Sequence, residues 1–425
     1  MTTVKFNYLS DNNLTPKRIN WDLAIIGGGF RTTTFLASAP ELLKYRITIV
    51  ERGNVIGPGA FSDYTITTSS TGSSLFKALS YHGSFAVLRN NSKVTSVAKC
   101  QNPIRTEDLS TALLEVGSVI SDKLGDTAIR LNSNVNKIEL DSDKGPVTLH
   151  INGGDIIHAR HVILATGRRE RPHVELEAWR DKVMLSSSVI SLSKRKLLEN
   201  KILSLGGRPI VIVGCSHSAM SALQILLEVT NQLERYHSEY RRPPIFVIQR
   251  SLARLMYENQ EQARKEQVLG REQLFDPNQD ICPDTGIVFR DSGLRHKSKE
   301  LYCNLWSGKI PNAHIVRVKV IREASDLLDS SGLVVQALGY KGEAPDILVS
   351  GKLVRPSSSN ERLWADEDGA ALIGGHRYEN LSILRIEPTP PHRKDNSAYG
   401  KNLYRLLSSR LEHLLSESIE SEANL

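Results

Sequence analysis

Two short stretches of this chain carry residue types that can grip a phosphate. In the first, Gly27-Gly28-Gly29 follows the apolar run Leu23-Ala24-Ile25-Ile26 directly, and Phe30 to Ser38 reads as a helix. Glycine at Gly27 permits a tight turn, and glycine at Gly29 lets the backbone come close to a pyrophosphate. The free amides at the helix start then point at the anion. In the second, Val211-Ile212-Val213 runs into Gly214-Cys215-Ser216-His217-Ser218-Ala219, and a helical run follows from Met220 to Val229. Ser216 stands where such a turn has its second glycine and Ala219 at the third, as Thr32 does in the first turn. A strand before and a helix after make both stretches dinucleotide turns, against the plainer reading of glycine-rich corners.

The residue closing the next strand separates the two. Ile47-Thr48-Ile49-Val50 ends in Glu51, at a distance from the glycines that suits a bond to an adenosine ribose. Ile245-Phe246-Val247-Ile248 ends in Gln249-Arg250. An acid there would bond a free 2′-hydroxyl, whereas a cation accommodates a 2′-phosphate. NADPH is therefore expected over NADH, against the alternative of a solvated surface arginine. The candidates at the first turn are Gly27, Gly29, Phe30, Glu51 and Arg52; at the second they are Gly214, Ser216, Ser218 and Arg250. His217 and His392 have no identifiable partner for acid–base work, and no metal-ligand spacing is present.

The rest of the chain must position these turns. Tyr64 to Ser74 is mostly hydroxyl and glycine, poor helix material, and reads as a surface linker or as a loop lining a bound ring or substrate. Lys77 is placed at the rim of that chamber. Thr106 is a plausible N-cap for a helix running from Pro103 to about Leu124. Thr127–Leu131 alternates briefly, and Ser133–Leu140 and Val147–Ile151 read as strands of a meander. His161 to Gly167 is a buried strand closing on Ala165-Thr166-Gly167. Residues 252–310 are charged and irregular and are expected to form substrate-facing loops. Ile315–Ile321 alternates as a strand, and Gly332 to Tyr340 repeats a strand-to-glycine ending, expected to return the chain to the first domain. Glu379–His392 and an amphipathic helix, Lys401–Leu415, finish the fold. The leucines of that helix read as core or dimer contact, so homo-oligomerisation is compatible with the pattern.

At 425 residues the chain has room for two or three domains. Its composition, 40% hydrophobic and 24% charged, is that of an ordinary globular protein. The net charge of +7 comes from scattered basic residues. No long basic run interleaved with aromatics occurs, which argues against nucleic acid as a partner. Four cysteines stand far apart, which supports neither a redox pair nor a zinc cluster and fits a reducing compartment. The first twenty residues lack an apolar signal core and no segment reaches the length of a membrane span. A cytoplasmic protein without a membrane partner is expected.

Two dinucleotide turns flanking an Ala-Thr-Gly strand, with a later strand of the same type, resemble the two-domain FAD/NAD(P)H flavoproteins. The chain looks most like class B flavin monooxygenases, especially the lysine and ornithine N-hydroxylases. Leu75-Phe76-Lys77-Ala78-Leu79 is similar to their Phe-Leu-Lys-Asp-Leu segment beside the flavin, and Arg105-x-Glu107 to their Arg-x-Glu-Phe. Ser186-Ser187 resembles their His-Ser-Ser, and Ser218-Ala219 the Ser-Ala of their NADPH turn. The resemblance implies an α/β fold of two Rossmann-like dinucleotide-binding domains, the NADPH domain inserted into the FAD domain. Residues 1–183 and 331–425 would form the FAD domain and 184–330 the NADPH domain. It further implies that the backbone near Val135 meets the adenine, that Thr166 and Gly167 approach the flavin, and that Gly339 belongs to the cofactor set. NADPH would reduce FAD, and a flavin C4a-hydroperoxide would oxygenate a nitrogen or sulfur of a small molecule. Leu185 stands where the family has histidine and Ser216 where it has glycine, so the resemblance does not name the substrate. The Phe-x-Gly and His-x-x-x-Trp fingerprint of Baeyer–Villiger enzymes is absent. One rival is an NADPH-dependent reductase passing electrons to a quinone or protein partner; a second, supported by the departures at Thr32 and Ser216 alone, is a non-enzymatic flavin-binding protein.

Overall fold

The computed structural model describes residues 20–265, 274–283, 285–290, 292–354, 364–384 and 401–423. The chain opens on β1 (Trp21–Ile26) and turns through three glycines into α1 (Phe30–Ser38). β2 (Ile47–Val50) lies parallel to β1, Leu23 opposite Ile47 and Ile26 opposite Val50. Apart from Asp22 and Thr48 both strands are apolar, because both faces are covered. Leu23 and Ile25 enter one core with Phe35, Leu36 and Leu113, while Ala24 and Ile26 enter another with Leu140, Leu149 and Tyr378.

The hydroxyl-rich run expected as a loop is a strand, β3 (Thr67–Thr71), followed by one helical turn, α2 (Gly72–Leu75). After α3 (Ser92–Lys99), β4 (Pro103–Arg105) pairs antiparallel with β3. Thr68 Oγ1 accepts the Ile104 amide at 3.1 Å, so the hydroxyls bond a partner strand rather than their own backbone alone. α4 (Thr106–Leu124) starts at Thr106, which is the first helical residue and not the expected N-cap. Its hydroxyl donates to the Ile66 carbonyl at 3.0 Å and accepts the Ile66 amide at 3.1 Å, fastening the helix to the approach of β3. β5 (Ile129–Arg130) extends the sheet beyond β2. β6 (Val135–Leu140), β7 (Val147–Ile151) and β8 (Ile156–Leu164) form the expected antiparallel meander, and β8 runs parallel beside β1.

Beyond β9 (Arg168–Arg169) the chain crosses to a second sheet. Its elements are β10 (Val183–Leu185), α5 (Ser186–Val189), α6 (Arg195–Leu203), β11 (Ile210–Val213), α7 (His217–Tyr236) and β12 (Ile245–Gln249). α8 (Gln260–Lys265), α9 (His296–Trp306), β13 (Ala313–Arg317), α10 (Ser325–Ser330) and β14 (Leu333–Gln336) complete it. The five strands are all parallel in the order β10-β14-β11-β12-β13. α9 falls inside the run expected as loops; its Tyr302 and Leu305 are buried in the same core as Leu223 and Leu226 of α7. The strand expected over Ile315–Ile321 lies at 313–317, and Ile321 opens a 3₁₀ turn.

β14, expected to return the chain to the first domain, sits between β10 and β11 in the second sheet. The return follows it: β15 (Lys341–Gly342) pairs antiparallel with β9, so the outgoing and incoming crossings lie side by side. β16 (Asp346–Val349), β17 (Lys352–Val354), β18 (Trp364–Ala365), β19 (Ala370–Ile373) and β20 (His376–Ile383) then join the first sheet. That sheet has eleven strands among the described residues. α11 (Lys401–Ala423) buries Leu403, Leu407, Leu411 and Leu415 in the core of Phe35 and Leu36. Each such burial contributes roughly 1.5–3 kcal/mol, which makes this stripe core. Of the expected segment Glu379–His392, residues 385–392, His392 included, lie outside the described residues. No helix among the described residues is long and apolar enough to cross a membrane.

Candidate functional site

The two glycine turns are built to one plan. Gly27 has φ +99°, and a Cβ on it would stand 2.6 Å from the Ala165 carbonyl oxygen. Gly214 has φ +116°, and its Cβ would stand 2.3 Å from the Ala337 carbonyl oxygen. Only glycine holds that conformation without strain, and only glycine admits so close a neighbour. The ladder around each is also the same. Gly27 N donates to Val50 O at 2.8 Å and Gly214 N to Ile248 O at 3.0 Å. Ala165 N donates to Ile26 O at 2.9 Å and Ala337 N to Val213 O at 2.8 Å. Two residues past each alanine stands another positive-φ glycine, Gly167 at +76° and Gly339 at +100°. At the helix starts, Gly29 and Ser216 are extended N-caps, and no side chain caps either helix. The Ser216 hydroxyl instead pairs with that of Ser218 at 2.9 Å. Each helix thus presents its first amides at the turn, where an anion is stabilised.

Thr32, at the third-glycine position, is buried and donates its hydroxyl to the Gly27 carbonyl. That bond lets a side chain fit where close packing usually asks for glycine. Residues 56–59 cross over the first turn. Gly57 N donates to Gly28 O at 2.7 Å, Thr33 Oγ1 to Gly57 O at 3.2 Å, and Phe61 meets Phe30 edge-on at 5.8 Å. Glu51 is already engaged: Oε2 accepts the Gly28 amide at 2.6 Å and Oε1 the Gly53 amide at 2.7 Å. A carboxylate has about four acceptor positions, so two stay available for hydroxyls. The Glu51 carbonyl accepts the Ser133 amide at 3.0 Å, which brings the start of β6 and Val135 towards the same turn. Val135 itself is buried, paired with Ile151.

At the second turn, Arg250 follows β12 with its side chain half exposed, 3.9 Å from a Glu175 carboxylate oxygen. Gln249 before it is buried and accepts the Tyr302 hydroxyl at 3.0 Å. His217 is the first residue of α7, and its Nε2 lies 3.2 Å from the Gly293 carbonyl. Burial, with Arg295 adding, lowers its pKa to about 4. A neutral imidazole tied to a carbonyl is a packing group here, not an acid. Lys77 is exposed.

Sequence reasoning missed the junction between the sheets. Glu343, just past β15, receives Arg52 Nη1 at 2.8 Å and Arg169 Nε at 2.9 Å. Thr166 donates its hydroxyl to the Glu343 carbonyl, and Glu343 N donates to Gly167 O at 3.2 Å. Beside this, Glu170 is 7% exposed; its Oε1 accepts the Ser186 hydroxyl and its Oε2 the Ser187 amide, both at 2.7 Å. Burial pushes its carboxyl above the ordinary range, with the two serine bonds opposing. Tyr64 and Tyr340 stand near one another and near Glu170, and burial raises both phenols. The sequence singles out Arg52, Thr166, Gly167 and the Ser186-Ser187 pair, but neither Glu170 nor Glu343.

The structure therefore gathers Gly27, Gly29, Phe30, Glu51, Arg52, Thr166 and Gly167 around the first turn, and Gly214, Ser216, Ser218 and Gly339 around the second, with Arg250 at the end of the adjoining strand. Among the described residues no group of three metal-ligating side chains occurs.

Residues 21–240 match the pyridine nucleotide-disulphide oxidoreductase family. No curated protein matches the chain. Among solved structures, the ornithine N-hydroxylase of Kutzneria sp. 744, with reduced FAD, NADP⁺ and L-ornithine, superposes with TM-score 0.57 at 14% identity. The match covers 94% of this chain and 99% of that one. The FAD-bound cadaverine monooxygenase of the desferrioxamine pathway of Erwinia amylovora gives 0.59 at 13%, over 94% and 95%. An ε-caprolactone-bound cyclohexanone monooxygenase gives 0.55 at 12%, over 95% and 88%. Identities this low speak for the fold alone.

Proposed function

The chain belongs to the pyridine nucleotide-disulphide oxidoreductase family, and from that premise we propose an FAD-dependent, NADPH-consuming monooxygenase acting on a nitrogen or sulfur nucleophile of a small molecule. The observation that carries this is the doubling of one turn. Each turn has a first glycine pressed against a neighbouring strand's carbonyl and an uncapped helix behind it. They differ in what ends the next strand: a carboxylate at Glu51 and a cation at Arg250. One turn suits an adenosine ribose with free hydroxyls, the other a 2′-phosphate.

The residues fit both dinucleotides. A Cβ at Gly27 or Gly214 would strike the Ala165 or Ala337 carbonyl, so each tight turn needs its glycine, the helix behind each is uncapped, and Glu51 keeps acceptor capacity beyond its two backbone bonds. FAD is assigned to the larger sheet, with Gly27, Gly29, Phe30, Glu51 and Arg52 at its turn, Val135 near the adenine, and Thr166 and Gly167 towards the ring. NADPH is assigned to the smaller sheet, with Gly214, Ser216, Ser218, Arg250 and Gly339. When bound, FAD supplies the redox chemistry, taking a hydride from NADPH and activating dioxygen once reduced. The chain's own groups bind, orient and exclude water. Full-length likeness to N-hydroxylases supports the oxygenase side of the family, as do Cys100, Cys215, Cys282 and Cys303, which are all free thiols.

The test is purified protein reconstituted with FAD, with NADPH consumption measured against oxygenated product and peroxide in the presence of small amines and thiols. Product formed in step with NADPH supports the reading. A colourless protein that takes up no FAD overturns it. NADPH oxidation yielding peroxide alone with every nucleophile, together with fast reduction of a quinone, assigns the chain to the reductases instead.

A further inference from the structure

Glu170 occupies an unusual place for an acid. It is buried, its carboxylate oxygens are met by two serines, and it stands directly after β9, where the chain crosses between the sheets. Burying a carboxylate is costly unless its hydrogen bonds are satisfied, and both its oxygens are used on α5. Ser186 and Ser187, the two residues it holds, open that helix, and α5 packs on α7, whose first turn is the second dinucleotide turn. The returning crossing lies against the same cluster, with Arg168 Nη2 donating to Tyr340 O at 2.6 Å and β15 paired with β9. Tyr64 belongs to the first-sheet segment pinned onto the end of α5, with Thr65 N donating to Ile190 O at 3.0 Å and Ser193 N to Asp63 Oδ1 at 2.8 Å. Buried Gln336 ties the outgoing crossing to β14, donating to Arg171 O at 2.8 Å and accepting His173 N at 2.9 Å. Glu170 holds the start of α5, residues 63–65 hold its end, and Gln336 holds the chain just past Glu170, so the fastenings between the sheets gather on this helix and this crossing.

We propose that Glu170 is a positioning residue that fixes the second dinucleotide turn relative to the first, and so governs hydride delivery rather than the binding of either nucleotide. This rests on the FAD/NADPH reading above. NADPH would give up a hydride, becoming NADP⁺ as FAD is reduced by two electrons, so the rate depends on how one ring meets the other. Misplacement by about 1 Å can cost on the order of 10²-fold in rate.

The variants are Glu170→Ala, which removes both acceptors, and Glu170→Gln, which keeps one and turns the other into a donor. Ser186→Ala, which removes one bond and leaves the carboxylate, is the fallback should Glu170→Ala not fold. Each FAD-loaded full chain is mixed anaerobically with NADPH, and flavin content, the NADPH dissociation constant and the limiting rate of flavin bleaching are measured. A roughly 10- to 100-fold fall in limiting rate with unchanged flavin content and dissociation constant is expected for Glu170→Ala, with Glu170→Gln between it and wild type. An unchanged limiting rate, or a loss carried entirely by the dissociation constant, overturns the proposal. A second readout needs no redox chemistry: trypsin cleavage at Arg168 and Arg169, both exposed. Unfastening the crossing should speed cleavage there in Glu170→Ala, with or without FAD, and equal cleavage rates count against the latch. Wild-type flavin that NADPH never bleaches defeats the function reading, and the cleavage arm still decides the latch.

Discussion

Replacing Glu51 separates two duties that the structure assigns to one carboxylate. It accepts the Gly28 amide at 2.6 Å and the Gly53 amide at 2.7 Å. A hydrogen bond to a charged group contributes about 1.5–3 kcal/mol. Gly28 is buried and regains no water when the acceptor is removed, whereas Gly53 is half-buried and partly does. Glu51→Ala should therefore destabilise the nucleotide-free unit by about 2–5 kcal/mol, a large share of an ordinary domain's stability. Ribose hydroxyls left unpaired cost a further 1–3 kcal/mol or so, which weakens FAD roughly 5- to 150-fold. Glu51→Gln keeps one amide bond but sets its NH₂ against the other N–H, so it should fall between wild type and Glu51→Ala in both measurements. Urea unfolding of the nucleotide-free protein reads the first duty and quenching of FAD fluorescence on titration reads the second. A Glu51→Ala protein that unfolds at the wild-type midpoint, or that binds FAD with the wild-type constant, would refute the corresponding half of the reasoning.

Arg250→Ala should weaken NADPH by about tenfold, the low end for a charge-assisted bond, because the guanidinium is half exposed and already near Glu175. NADH efficiency should barely change, and equal losses in steady-state kinetics would remove Arg250 from the phosphate site. Gly214→Ala forces a Cβ to 2.3 Å from the Ala337 oxygen at φ +116°. NADPH binding should fall at least tenfold while the flavin spectrum stays, since the FAD turn is in the other sheet; loss of FAD as well would mean that the two turns are not independent. His217 has a folded pKa of about 4 against an ordinary 6.5, so the unfolded chain binds more protons between those values. Its contribution is fully present above about pH 6.5 and is lost as pH falls towards 4, on the order of 3 kcal/mol at most. His217→Asn should flatten that part of a plot of urea midpoint against pH, and an unchanged slope would contradict the burial argument.

What could be read from the sequence depended on the range of the signal. β1, α1 and β2 appear at the expected residues because strands buried on both faces need largely apolar runs, and the three glycines punctuate them. β3 was hidden because its pairing comes from β4, with Ile104 bonded to Thr68 across 36 residues. Thr106 looks like a cap locally, and only the approach of Ile66 shows what its hydroxyl does. The Glu170 cluster draws on residues 64, 170, 186–187 and 340, which no window of sequence contains together. Ala337 illustrates the reverse case. Its strand was legible and its ending was legible, but which sheet it joined depended on a register with Val211 and Met184 that periodicity does not encode.

The pairing of β9 with β15 has a consequence for how such a gene can be rearranged. Arg169 lies opposite Lys341 and Arg168 opposite Gly342, so about 170 intervening residues leave and re-enter the first sheet through neighbouring positions. A segment whose ends meet is portable: it can be spliced into a host loop, or lifted out and the gap closed by a tight turn, without stretching the host backbone. The excision would not be clean here. Tyr64 and Ile66 pack on the core of the departing unit, so a host trimmed of its insert would carry an apolar scar at that spot and would need polar replacements there to remain monodisperse.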